Sequence, residues 1–533
     1  MAQGLEPFDL QGAEDTQLNQ EIQAIWQENS EFEPEDRDVL VIPSFSIDQI
    51  VGQKVSGFLH YEERLLFSLI RLRNPQNRLI YVTAQPLSPI IIEYYLQLLP
   101  GVPFSHARDR LLLLSAYDHS FKPLTQKILE RPRLLERIRQ ALRPNKSYMV
   151  CFNATELEAQ LSQRLGIPLF AASPALQYWG SKSGSREIFA QCQVPHPDGT
   201  PLAWTGEKVI EQGALLWQRN PHLQRFVVKL NEGLSGEGNA VLDLRPLAAW
   251  VTADSSVHDR KNLLENQFEF LSFQSPEETW TSFASRIPEL GAIVEAFVEG
   301  EEKRSPSVQG YISPLGKVSI LSTHDQILGG PDKQVYLGCR FPADEAYRLP
   351  VQEMGLIIGE ALAKRGAIER YGVDFIAVSR GTAAQQTWDL QAIEINLRKG
   401  GTTHPFMTLK FLTNGRYDAA TGLFFSQQNI PKYYIASDNL QKESYRGLLA
   451  PDLMDIMVKH RLHFDSSTQT GTIFHLMGAL SEFGKLGLTC IGNSLAEAET
   501  HYQQIETVLD AETDRDRNLD RLESDCTLPI RWA

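Results

Sequence analysis

VDFIAV (373–378) and LQAIEINLR (390–398) decide the fold. Each is a short apolar run of the kind that forms strands, and the two read as an antiparallel hairpin. In an extended chain alternate residues share a face. Glu394, Asn396 and Arg398 therefore project together from the second strand, and Asp374 faces them from the first. Two carboxylates and an amide oxygen suit octahedral Mg²⁺ chelated by nucleotide phosphates. An arginine beside them can hold a carboxylate or phosphate through two parallel hydrogen bonds. The plain alternative is the polar face of an antiparallel sheet, because E-x-N-x-R is short enough to arise by chance.

Working towards the N-terminus, three further stretches carry candidate chemistry. In VVKLNEGLSGEGNAVL (227–242) a strand bearing Lys229 enters a loop with Gly233, Ser235, Gly236 and Gly238, and a strand resumes. Glycines let backbone N–H groups wrap phosphate oxygens, and Lys229 adds a point charge; a plain flexible hairpin is the alternative. AIVEAFVEGEEKR (292–304) is an apolar strand ending at Glu295 and Val298. It reads as a nucleotide hinge, or as an ordinary strand end with acidic residues. YWGSKSGSREIFAQCQVPHP (178–197) places Lys182 before a helix that stops at Val194-Pro195; such a lysine is more often simply solvated. GALSEFGKLG (478–487) is not a Walker A loop, since the spacing is wrong and Leu486 stands where Ser or Thr is required.

The wider pattern gives α/β and α+β domains. Residues 1–36 form a polar leader with one helix expected around Gln17–Gln27. Over 37–175, strand runs at DVLVIPSF, RLIYVTA, RLLLLSA, SYMVCFN and IPLFAAS alternate with helical patterns, which predicts a parallel α/β domain. One of these helical stretches, LTQKILERPRLLERIRQAL, is interrupted by Pro132. Residues 176–410 read as antiparallel strands with helices, and 411–533 as a small α+β C-terminal domain with a charged tail.

Composition narrows the partners. The chain has 533 residues, a formal net charge of -15 and 22% charged residues. That balance opposes binding to nucleic acid or to an anionic membrane surface. The five cysteines are scattered without a C-x-x-C pair, which argues against a disulfide framework or a zinc site and suits a reducing compartment. The acidic N-terminus has no apolar signal region, and no run approaches the roughly 18 apolar residues of a spanning helix. A cytoplasmic location is expected.

The order of the four features says more than any one of them: Lys182, then Lys229 with its glycine loop, then the Glu295 hinge, then Asp374/Glu394/Asn396/Arg398, all after an α/β domain. In this order the chain resembles the ATP-grasp superfamily over roughly 150–410. KGGTTHP (399–405) and GTIFHLMGALSEFGKLG (471–487) resemble the pheganomycin-type peptide ligase group more narrowly. The resemblance implies an N-terminal pre-ATP-grasp domain, an antiparallel-sheet ATP-grasp region, and an ATP-dependent carboxylate–amine ligase acting through an acyl phosphate. It implies that Lys182 and Lys229 meet the phosphates, that Glu295 and Val298 meet adenine, and that Glu302 meets the ribose, with Glu299 and Glu301 close enough to blur that choice. Asp374, Glu394 and Asn396 would hold Mg²⁺, as two ions with Mn²⁺ able to substitute, and Arg398 would steady the acyl phosphate. The loop at 231–239 is the expected lid, a possible homodimer follows the habit of the family, and 245–285 is an insertion relative to the simplest pattern. His324, Asp325 and His404 are candidate substrate-side residues, although a lone histidine is more often structural; His475 reads as packed. The rival readings are carboxylation of a biotin-like acceptor and a non-catalytic nucleotide-binding protein.

Overall fold

The computed structural model describes residues 13–27, 36–46, 52–53, 55–232, 238–252, 255–273, 278–329, 335–381 and 386–525. The chain divides into two compact units. One is Met1–Pro174 with Ile312–Lys317 and Gly366–Glu369; the other is Ala175–Tyr311, Val318–Arg365 and Arg370–Ala533.

The first unit is built on four parallel strands: β1 (Asp38–Ile42), β2 (Arg78–Thr83), β3 (Leu111–Ser115) and β4 (Ser147–Cys151), ordered β3–β2–β1–β4. β1, a central strand, is buried along its whole length, as is β4 at the end of the sheet. Leu40, Ile42, Ile80, Val82, Met149 and Leu161 meet in one core. Pro132 does not merely interrupt a helix. One helix ends at Leu129, and Pro132 sits in the first turn of the next, where its missing N–H is harmless. The leader helix begins at Ala13, earlier than expected. IPLFAAS is not a fifth strand. Its only pairing is a single bridge between Leu169 and Met149, because Pro168 has no N–H to extend the ladder.

The second unit contains two sheets. In the smaller, β5 (Arg225–Leu230), β6 (Asn239–Asp243), β7 (Ser272–Phe273) and β8 (Ala292–Ala296) run antiparallel in the order β7–β6–β5–β8. Phe226, Val228, Leu242 and Val294 pack beneath the Gly206–Arg219 and Val257–Gln267 helices with Leu264 and Phe283. The expected insertion supplies β7 and most of two helices to this layer.

The larger sheet comprises β9 (Lys303–Arg304), β10 (Pro306–Ile312), β11 (Val318–Gly329), β12 (Val335–Phe341), β13 (Glu369–Arg380), β14 (Thr387–Asn396), β15 (Arg416–Asp418), β16 (Leu423–Phe425), β17 (Pro431–Gln441), β18 (Gly471–His475) and β19 (Lys485–Gly492). Its main path is β14–β13–β10–β11–β12–β17–β16–β15; β9 adds to β13, β19 pairs with β17, and β18 pairs with β19. The strands within Arg416–Gly492 thus extend the sheet that carries the Asp374/Glu394 hairpin, and the Leu495–Asp525 helix covers β17 and β19. Among the described residues no helix is long and apolar enough to cross a membrane.

Candidate active site

β13 and β14 pair antiparallel with Asp374 opposite Glu394 and Gly372 opposite Asn396. The register shifts just beyond Asp374, and the bulge leaves Ile393 as the extra residue on β14. A bulge re-aims side chains locally, and here it lies beside the polar cluster. Asn396 Nδ2 donates to Asp374 Oδ2 at 2.9 Å, Gln326 Nε2 donates to Asp374 Oδ1 at 2.5 Å, and Arg398 Nη2 donates to Asn396 Oδ1 at 2.9 Å. Burial pushes the Asp374 carboxyl up to about 7 and the Glu394 charge adds to this, against the opposing pull of Arg398, Gln326 and Asn396.

The Lys182–Gln191 helix delivers two cations from one face. Ser181 caps it by accepting from Gly184 N. Lys182 N donates to Asn231 O at the end of β5, Ser183 N donates to Asn231 Oδ1, and Ile395 N of β14 donates to Ser185 Oγ at 2.9 Å. The helix start is thereby fixed to both sheets of this unit. Lys182 Nζ reaches Glu394 Oε1 at 2.5 Å. Arg186, one turn later, reaches Glu295 Oε1 at 3.1 Å. Lys229 Nζ donates to the other Glu295 oxygen at 2.5 Å from the neighbouring strand β5. Burial raises the Glu295 carboxyl, but Lys229 and Arg186 outweigh it and hold the group below its usual range.

Lys229, Glu295, Asp374, Glu394, Asn396 and Arg398 line a cavity of about 1220 Å³, which also takes in Val298, Asp325, Gln326 and Gly400–Thr403; Lys182 and Arg186 are not in its lining and bear on it through Glu394 and Glu295. At its hinge end Phe297 lies beneath two cations, with the Arg225 guanidinium 3.9 Å and the Lys303 ammonium 4.3 Å from the ring centroid. Lys303 Nζ also donates to Val298 O at 3.2 Å.

The remaining sequence candidates fall into different surroundings. Glu302 is exposed, held by Arg304 Nη2 and Gln386 Nε2, and does not line the cavity. His324 and Asp325 lie within β11. His324 is fully buried against Tyr434 Oη at 2.6 Å, and desolvation pushes its imidazole down to about 3. Asp325 accepts from Tyr347 Oη at 2.7 Å and Asp344 N at 2.9 Å, and burial raises its carboxyl. His404 is buried with His475 and does not itself line the cavity, although the preceding Thr403 does. Gly238 begins the return to β6, where its N–H-bearing turn sends a carbonyl to Leu230 N at 2.8 Å; Gly233, Ser235 and Gly236 lie outside the described residues. Gln326, which lines the cavity, and Arg186, the partner of Glu295, are residues that the sequence reading passed over. Arg186 carried a signal, its four-residue spacing from Lys182; Gln326 carried none.

The donor set fits a hard divalent cation. Asp374, Glu394 and Asn396 offer oxygen ligands, and the raised Asp374 carboxyl reflects the cost of holding two carboxylates side by side in a half-buried site.

Family models match in two places. Residues 174–275 and 261–420 match an ATP-grasp model described as IQCH-like, and 452–505 match the PGM1 C-terminal domain. The chain is 30% identical over 480 residues to an L-propargylglycine–L-glutamate ligase of Streptantibioticus cattleyicolor, covering 88% of this chain and 93% of that protein. The chain belongs to the ATP-grasp ligases. It is an ATP-dependent ligase that forms a C–N bond between a carboxylate and an amine. A second ATP-grasp relative, IQ motif-containing protein H of Danio rerio, is 24% identical over 72% of this chain and 40% of its own length. The ATP-grasp fold is also seen in an ADP complex of N5-carboxyaminoimidazole ribonucleotide synthetase, at 11% identity and a TM-score of 0.50 over 91% of this chain and 99% of that one.

Proposed function

We propose that this ATP-grasp ligase joins the carboxylate of one amino acid to the amino group of a second amino acid or short peptide, releasing ADP and phosphate. One observation carries the reading: two carboxylates, an amide oxygen, Arg398 and Lys229 line one cavity of this unit, with Lys182 hydrogen-bonded to one of those carboxylates, Glu394. The substrate class follows the ligase of two amino acids that the chain resembles over most of its length.

A carboxylate is a poor electrophile because its charge deactivates the carbonyl. Transfer of the γ-phosphoryl group to it creates an acyl phosphate with a good leaving group. Lys182 and Lys229 exchange their carboxylate partners for phosphate oxygens, and Glu295 and Val298 border the adenine end. Mg²⁺ held by Asp374, Glu394 and Asn396, as one or two ions, supplies neutralisation of phosphate charge, and Mn²⁺ shares the oxygen preference. The amine then attacks the acyl carbon, the C–O bond to phosphate breaks, and the amine's proton leaves to solvent or phosphate. Arg398 holds the oxyanion by paired N–H donors. A reducing, cytoplasmic setting suits the four described cysteines, none of which is in a disulfide.

The test is ADP release from Mg·ATP in the presence of amino-acid pools, with mass spectrometry of the products. ADP formation that requires a particular pair and yields their condensed mass supports the assignment. ADP formation that requires bicarbonate and yields a carboxylated acceptor would replace it.

A further inference from the structure

The two stretches that set this chain apart within its superfamily, KGGTTHP (399–405) and GTIFHLMGAL (471–480), each contain one histidine. Nucleotide binding uses neither. His404 starts the Thr403–Thr413 helix, His475 ends β18, and with Asp438 of β17 they form a buried cluster. His404 Nε2 and His475 Nε2 are 2.9 Å apart, His475 Nε2 is 2.7 Å from Asp438 Oδ1, and His404 Nε2 is 3.2 Å from the same oxygen. Three donor atoms of three residues thus form one nearly equilateral triangle.

With Asp438 ionised, hydrogen bonding alone does not satisfy that triangle. Each imidazole Nε2 presents a single in-plane lobe, either an N–H or a lone pair, and the carboxylate oxygen presents lone pairs. A proton on one nitrogen leaves the other nitrogen's lone pair against the carboxylate. Protons on both nitrogens set two N–H groups against each other. A cation lets all three lobes converge on one point. With bonds of about 2.1 Å, an ion would sit roughly 1.2 Å above the plane of these three atoms.

The surrounding backbone is shaped for this meeting. β17 and β18 lie on opposite sides of β19, so Asp438 and His475 must reach across it. They do so over Gly487, where an added Cβ would lie 2.2 Å from His475 Cδ2 and 2.3 Å from Nε2. The register of β17 shifts between Ser437 and Leu440, placing Asp438 in the irregularity, and such a bulge turns a side chain out of the regular alternation.

We propose that His404, Asp438 and His475 bind a divalent d-block cation of the zinc class, at a site separate from the phosphate-binding cavity. Two imidazoles and one carboxylate suit such an ion, whereas Mg²⁺ prefers oxygen alone. A water molecule or the second Asp438 oxygen completes the coordination. The ion ties the helix start at His404 to the β17–β19 strands. Gly400–Thr403, which line the cavity, are thereby held from behind.

Metal analysis of the full chain, purified without chelator, tests the site. About one zinc-class ion per chain is expected. After removal of metal by a chelator, Co²⁺ should bind with one equivalent, give a d–d absorption in the visible range, and lose that band when Zn²⁺ is added. Asp438→Asn and His475→Gln should each weaken Zn²⁺ binding at least 100-fold, while Glu394→Gln leaves it unchanged. A metal-free wild-type chain that stays folded by circular dichroism yet takes up neither Co²⁺ nor Zn²⁺ at micromolar concentration would overturn the assignment. So would binding retained in both folded variants. The wild-type measurement decides alone if the variants do not fold.

Discussion

Glu394 is shared between two demands. Its carboxylate is the partner of Lys182 Nζ at 2.5 Å and the cross-strand neighbour of Asp374. Glu394→Gln keeps the shape and removes the charge. We expect turnover to fall by ~100-fold or more, the size associated with losing one electrostatic group at a reacting phosphate, with the far-ultraviolet spectrum unchanged. Turnover within twofold of wild type would remove Glu394 from the metal assignment. Arg398 sits one step further from the strands, donating to Asn396 Oδ1 and, at 3.0 Å, to Lys399 O. Arg398→Ala should leave nucleotide affinity within a few-fold while lowering the rate of product formation ~100-fold. Equal losses in nucleotide affinity and product formation would make Arg398 a nucleotide residue instead. Residues such as these are legible where the chemistry follows strand alternation: Asp374, Glu394, Asn396 and Arg398 are the case in point. Pairings across long sequence distances are not. Nothing in the sequence assigns Lys182 to Glu394, 212 residues away, or divides the two Glu295 oxygens between Lys229 and Arg186.

At the scale of elements, the docking of the Lys182–Gln191 helix onto β14 rests on small residues. Ser185 Oγ accepts the buried Ile395 N–H, and a Cβ at Gly184 would come within 2.0 Å of Tyr178 O. Ser185→Ala leaves that N–H unsatisfied, at a cost of about 1–3 kcal/mol. Gly184→Ala forces the preceding turn away, at a similar cost from overpacking of about 1–3 kcal/mol. Urea unfolding should show both losses, and the KM for ATP should rise because Lys182 sits in the same first turn. Loss of stability with an unchanged KM would show that the helix start tolerates displacement without moving Lys182. The helix itself is readable from the Val194-Pro195 stop that follows it, and the strands of the parallel sheet from their apolar runs. IPLFAAS misleads because a strand pattern says nothing about whether a free edge exists, and here Pro168 prevents one from being used. The strands after residue 411 read as strands, but not for where they pair. Their apolar runs are visible, but their addition to the sheet of β13 and β14 is set by register, which local patterns do not encode.

Over the whole molecule, each unit has its own core, so the two need not unfold together. A saturating non-hydrolysable ATP analogue with Mg²⁺ should raise the transition of the second unit, by about 2.7 kcal/mol of linkage at 100-fold excess over Kd. The first unit should respond instead to pH, through Glu62. That residue is half-buried overall, but its carboxylate turns inward and accepts from Ala84 N at 2.6 Å. Desolvation pushes the group up to about 8 and Glu63 adds to this, against the Ala84 bond and the charge of Lys127. In the unfolded chain the same carboxyl ionises near 4.5. Between those values the folded unit binds the extra proton, so its stability is greatest below about pH 4.5 on this account and declines as pH rises towards 8. Lys127, whose ammonium is depressed by burial, acts in the opposite direction at the alkaline end. Glu62→Gln should therefore flatten the midpoint of this transition between pH 5 and 8, with the wild-type midpoint falling across the same range. Parallel profiles for the two chains, followed by calorimetry with and without the ATP analogue, would mean that Glu62 does not carry the linkage.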